Sequence, residues 1–143
     1  MKEQPKTLLQ MNNVTMRFGG VVAVNGVNIN LSEGRLAGII GPNGAGKTTV
    51  FNLISGVYDP VEGDIRFRDQ VISGKSPSEI THLGIARTFQ NIRLFKGLNV
   101  FDNVKMATNC RTEYSFMEGV LGLPRVWRQE KESAAEVERY LEL

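Results

Sequence analysis

The stretch "GPNGAGKTT", residues 41–49, constrains this chain more than any other feature. Gly41, Gly46, Lys47 and Thr48 meet the spacing GxxxxGK[ST], which at ordinary residue usage arises by chance in on the order of one chain in a few hundred of this length. Phosphate groups carry charge that must be desolvated and held without a covalent bond. Glycines permit backbone angles that turn successive N–H groups inward, forming an anion nest at the positive end of the following helix. Lys47 then brings a point charge to the β- and γ-phosphates, and the Thr48 hydroxyl offers an oxygen to Mg²⁺. The bland alternative is a glycine-rich strand-to-helix turn carrying an incidental lysine. The chemistry requires a strand before the loop and a helix after it.

The flanking pattern predicts both. "RLAGIIG", residues 35–41, is a short apolar run bounded by glycines, the pattern of a central strand buried on both faces. Residues 46–55 place Val50, Leu53 and Ile54 on one helical stripe, with Gly56 as the helix stop. Upstream, residues 8–18 and 21–31 read as two strands turning at Gly19-Gly20, the second alternating Val22, Val24 and then Val27, Ile29, Leu31 across Asn25-Gly26. Downstream the pattern predicts a strand around 64–67, a tight turn near Asp69-Gln70, and a short helix capped by Ser76 with Glu79 at its third position. "IARTFQ" reads as a further short strand. Asn99 can cap a helix from Val100, and residues 125–143 read as a helix with Trp127, Ala134, Val137 and Leu141 on one face.

Bulk properties exclude more than they specify. The 143 residues suit one ordinary domain, and 41% hydrophobic with 22% charged residues suits a packed core. Net charge is +2 and the basic residues are scattered, so no nucleic-acid partner is expected. The lone Cys110 forms no internal disulfide and fits a reducing, cytosolic compartment. No apolar run approaches the roughly 20 residues needed to span a bilayer, so any membrane role is peripheral.

The loop alone does not choose a nucleotide class, since Gly41, Gly44, Gly46 and Lys47 also satisfy the GxxGxGK pattern of small nucleoside kinases. Those kinases open near their N-terminus, whereas forty residues precede this loop. A GTPase would add DxxG and NKxD motifs, and neither occurs here. Four features stand in one order: Phe18 before Gly19-Gly20, the loop, "GVYDPVEGDI", and "ARTFQ" followed by "LFKGLNVFDNV". In that order the chain resembles the N-terminal part of an ATP-binding cassette (ABC), most closely an ATPase subunit of the branched-chain amino-acid importers.

The resemblance implies an α/β P-loop NTPase fold of ABC type with an N-terminal antiparallel β subdomain. Residues 1–98 would form the β subdomain and P-loop core, and residues 99–143 the start of an incomplete helical subdomain. The nucleotide, Mg-ATP, would be held by Gly41, Pro42, Asn43, Gly44, Ala45, Gly46, Lys47, Thr48 and Thr49, with Phe18 stacking on adenine. Most relatives carry Tyr there, but Phe keeps the ring; a core aromatic ending a strand remains the alternative. Gln90 would reach Mg²⁺ together with Thr48, although by itself a glutamine after a strand is usually a solvated loop residue. Asn43 would face a second ATPase subunit near the γ-phosphate. Residues 94–101 would meet a membrane permease subunit or simply pack beneath the helical part. The resemblance implies a peripheral location on the cytoplasmic face of the inner or plasma membrane. His82 reads as a surface residue of a short helix, without a role.

Hydrolysis in this family also needs an LSGGQ-type signature, a Walker B aspartate, an adjacent glutamate and a switch histidine. None is found in these 143 residues, so no catalytic residue is assigned and the chain reads as truncated before those motifs. It is expected to bind ATP and, alone, not to turn it over. A small P-loop nucleoside or nucleotide kinase and a non-catalytic ATP-binding regulatory fragment are the competing readings. The kinase would need an arginine-rich acceptor lid that Arg87, Arg93, Arg111 and Arg125 do not make.

Overall fold

The computed structural model describes residues 6–89, 94–108 and 116–142. The chain divides into two compact units, Met1–Arg87 and Thr88–Leu143. Gln90 and Cys110 lie outside the described residues.

The first unit is built on an antiparallel sheet of four strands in the order β2-β1-β3-β4. Strands β1 (Thr7–Phe18) and β2 (Val21–Ser32) form the predicted hairpin, turning at Gly19-Gly20. β3 (Glu62–Phe67) and β4 (Gln70–Val71) form a second. Its two-residue loop, Arg68-Asp69, has φ of 48° and 65°, the left-handed geometry of a type I′ turn.

Strand alternation is interrupted on purpose. On β1 the buried apolar positions are Leu9 and Met11, then Val14 and Met16, so the apolar phase shifts from odd to even numbers. The shift falls where Met11 pairs with Ile29 but Val14 pairs with Val27, a bulge with Asn13 at φ 49°. Without that extra residue Val14 and Met16 would turn to the outer face. On β2 the phase shifts at Asn25-Gly26, where the sequence pattern placed its interruption. There the Gly26 N–H donates to the buried Thr15 hydroxyl at 3.0 Å.

Helix α1 (Lys47–Ile54) and helix α2 (Pro77–His82) close the core. Val50 and Leu53 of α1 and Ile80 of α2 are buried with Leu9, Met11, Val14, Ile65 and Ile72. Ser76 caps α2: its hydroxyl accepts from the Glu79 N–H, while the Glu79 carboxylate accepts from the Ser76 N–H at 2.8 Å. His82 is exposed at the end of α2, its Nδ1 2.7 Å from the Ser78 carbonyl oxygen.

Two expected strands do not form. Residues 35–42 carry no regular secondary structure, and Leu36 and Ile40 are exposed. A strand buried on both faces needs a neighbour at each edge and cover on each side, and among the described residues no strand pairs with it. Residues 85–89 likewise carry no strand.

The second unit holds α3 (Val100–Thr108), α4 (Phe116–Leu121) and α5 (Pro124–Leu141). The Asn99 side chain caps α3 as expected, accepting from the Asp102 N–H at 2.8 Å. The inward stripe of α5 keeps the buried Val137 and half-buried Ala134 of the expected face. It continues through Val126, Glu130 and Ser133, with Trp127 and Leu141 exposed. Glu130 pairs with Lys105 of α3 at 2.5 Å, and Ser133 bonds Thr108. An apolar count cannot find a stripe whose middle positions are polar.

Candidate nucleotide-binding site

The N-terminus of α1 has the features of an anion site. Its first three N–H groups have no intrahelical acceptor, and the ladder begins where Val50 N–H donates to the Gly46 carbonyl at 3.0 Å. No side chain caps the helix and no acidic residue lies in its first turn. The positive end of the helix is therefore open to an incoming negative group.

The loop before it is shaped by two glycines in the left-handed region, Gly44 at φ 83° and Gly46 at φ 80°. Gly46 carries a second constraint: a Cβ there would lie 2.3 Å from the Ala23 carbonyl oxygen. Ala23 comes close because it is the extra residue of a further bulge in β2. Met16 pairs with Val24 and Arg17 with Val22, leaving Ala23 without a register partner on β1. Sequence reasoning did not single out Ala23, whose only signal is a small residue between two valines.

These pieces enclose an open pocket of about 250 Å³ lined by Ala23, Asn43, Gly44, Gly46, Lys47, Thr48 and Thr49. Pro42 and Ala45 form the turn beneath it, the Ala45 N–H donating to the Pro42 carbonyl at 3.3 Å. The Lys47 ammonium donates to the Gly41 carbonyl at 2.7 Å and to the Pro42 carbonyl at 2.6 Å. An ammonium has three N–H donors, so two tie it to its own loop and the third is left for a ligand. The Thr48 hydroxyl lines the pocket and is a hard oxygen of the kind that could hold Mg²⁺. Among the described residues no cluster of His, Cys, Asp and Glu offers another metal site.

The other expected site residues lie elsewhere. Phe18 ends β1 opposite Val21, is 41% exposed, and so is not a core ring. It meets Tyr58 edge to face, with centroids 5.0 Å apart and planes at 72°. Arg87, in the "ARTFQ" stretch, donates to Asn52 Oδ1 at 2.6 Å and to Ser55 Oγ at 3.1 Å, both on the C-terminal side of α1. Leu94, Phe95, Leu98 and Val100 are exposed in the second unit.

The ABC transporter family pattern matches residues 24–143. The chain belongs to the ABC transporter family. This ABC chain is 41% identical over 137 residues to the high-affinity branched-chain amino acid transport ATP-binding protein BraF of Pseudomonas aeruginosa, covering 96% of the chain and 54% of the relative. It is 41% identical over 135 residues to the corresponding protein LivG of Escherichia coli, covering 94% and 53%. The chain thus spans about half the length of the curated relatives it matches. Among solved structures it resembles the ADP conformation of MJ1267, an ATP-binding cassette of an ABC transporter. The TM-score is 0.66 at 35% identity over 82% of this chain and 46% of that one. It also resembles a dimeric cassette, MJ0796, bound to ADP and Pi, with a TM-score of 0.60 at 28% identity over 78% and 52%. Family membership displaces the small-kinase reading. Among the described residues no helix is long and apolar enough to cross a membrane.

Proposed function

We propose that this chain is the ATP-holding portion of the ATPase subunit of a branched-chain amino-acid importer. The observation that carries the reading is the uncapped N-terminus of α1 opening, with Lys47 and Thr48, onto the pocket of about 250 Å³. Backbone N–H groups of the loop and first helical turn take the phosphate oxygens, Lys47 supplies charge, and the Thr48 hydroxyl takes Mg²⁺. Gly41 and Pro42 act through the carbonyls that hold Lys47. Phe18 stacks on the adenine, Gln90 supplies a second ligand toward Mg²⁺, and Asn43 faces a second ATPase subunit. The names of BraF and LivG support the importer class.

In this reading, residues 1–98 are the β subdomain and P-loop core, and 99–143 begin the helical subdomain. The exposed apolar residues among 94–101 meet the permease at the cytoplasmic face of the membrane. Transport follows from coupling ATP binding and hydrolysis to that permease. The 143-residue chain itself binds Mg-ATP without turnover, because hydrolysis also needs an oriented water and charge stabilisation, each contributing orders of magnitude in rate.

Calorimetric titration of Mg-ATP into the chain, with a phosphate-release assay on the same sample, tests this. Saturable binding that Lys47→Ala weakens at least about tenfold, without phosphate release, is expected. Binding indifferent to Lys47, or Lys47-dependent hydrolysis by the chain alone, overturns it.

A further inference from the structure

Tyr58 packs against a ring that is itself left partly open. Its ring meets Phe18 edge to face at a centroid distance of 5.0 Å, and 41% of Phe18 remains exposed. Edge-to-face pairs hold ring orientation, because the positive edge of one ring is attracted to the negative face of the other.

Both rings are tied to the phosphate end of the site. Phe18 pairs with Val21, which lies two residues, about 7 Å along the strand, from Ala23 on the pocket wall. Tyr58 is half-buried against the core, and its N–H donates to the Asn52 carbonyl of α1 at 3.3 Å. Lys47 and Thr48 stand at the other end of that helix. One helix therefore anchors both the phosphate cradle and the residue that braces Phe18.

We infer that Tyr58 is a positioning residue for base recognition: it fixes the Phe18 ring at the angle at which its exposed surface accepts the flat face of a purine. The inference rests on the proposed stacking of Phe18 on adenine. Tyr58 acts through its ring and not through its hydroxyl. Its contribution belongs to the base and not to the phosphates, which Lys47 and the helix N-terminus hold.

The test is calorimetric binding of two ligands to the whole chain, Mg-ATP and inorganic tripolyphosphate with Mg²⁺, the second having phosphates but no base. Tyr58→Leu should weaken ATP binding about three- to tenfold and leave tripolyphosphate binding within about twofold. Tyr58→Phe should restore ATP binding, and Phe18→Leu should reproduce the selective loss. If the Leu variant at 58 fails to fold by circular dichroism, Tyr58→Met, unbranched and without a ring, replaces it. Equal loss for both ligands, or no loss for ATP, overturns the role of Tyr58. A Phe18→Leu variant that binds ATP normally removes the stacking itself and the brace with it. Failure of the wild-type chain to bind either ligand overturns the nucleotide reading as a whole.

Discussion

Gly46 faces Ala23 across a gap that admits no side chain. A Cβ on Gly46 would sit 2.3 Å from the Ala23 carbonyl oxygen, and the residue holds φ at 80°. Close approach and left-handed backbone thus demand glycine independently. Gly46→Ala should cost about 1–2 kcal/mol in backbone strain alone, with the overlap added. The expected outcome is a lowered thermal midpoint together with loss of measurable ATP binding, read by circular dichroism and calorimetry. Gly44→Ala meets no atom within 4 Å and should show the strain alone.

Lys47 is held by its own loop before any phosphate arrives, through the carbonyls of Gly41 and Pro42. Both carbonyls are exposed, so water can replace the ammonium there. Lys47→Ala should therefore leave the melting temperature nearly unchanged while weakening ATP. Lys47→Arg keeps the charge but not the compact ammonium, and should also bind more weakly than wild type.

Among the described residues, the capping box of α2 carries a pH dependence. Hydrogen bonds from the Ser76 hydroxyl and Ser76 N–H, with Lys75 nearby, hold the Glu79 carboxyl below its ordinary value of 4.5. Because the folded value is depressed, its stabilisation is complete above the unfolded value and is lost as pH falls through the folded one. Melting curves should show no Glu79 contribution to pH dependence between pH 6 and 8. Below about pH 4.5 the wild type should lose stability faster than Glu79→Gln.

Arg87 and Asn52 are 35 residues apart and joined at 2.6 Å. Arg87→Met removes the donor and should destabilise the chain by about 1–3 kcal/mol, since a partly buried acceptor loses its charged partner. A double-mutant cycle with Asn52→Ala in urea denaturation should give a coupling of about 0.5–3 kcal/mol. Strict additivity would show that the bond contributes nothing.

Features that depend on neighbours in sequence were legible in advance. The Ser76–Glu79 box follows from residue identity at fixed spacing. The β2 bulge shows as a phase jump in alternation at Asn25-Gly26. The phosphate loop follows from the same local logic, because glycine geometry and a helix terminus are properties of a dozen consecutive residues. What escaped notice is nonlocal. Apolar content in residues 35–41 signals a strand but cannot supply the neighbours that would pair with it. On α5 the apolar pattern reached Ala134 and Val137 but added the exposed Trp127 and Leu141, where Val126, Glu130 and Ser133 complete the inward stripe. Tyr58 against Phe18, Arg87 on Asn52 and Ala23 under Gly46 are contacts between segments 23 to 40 positions apart, with no trace in local pattern.

The C-terminal end of helix α1 joins other segments of the first unit at Asn52. The Asn52 carbonyl accepts from Val57 and Tyr58 N–H, and its side chain takes Arg87. Lys47 stands five residues earlier, about 7.5 Å along the axis and about 140° around it. The helix thereby works as a gauge block. Adding or removing one residue between Lys47 and Asn52 would turn one end about 100° against the other. The loop sequence could remain intact, and the open N-terminus of α1 would still stand out of phase with the Tyr58–Phe18 ring pair at its other end.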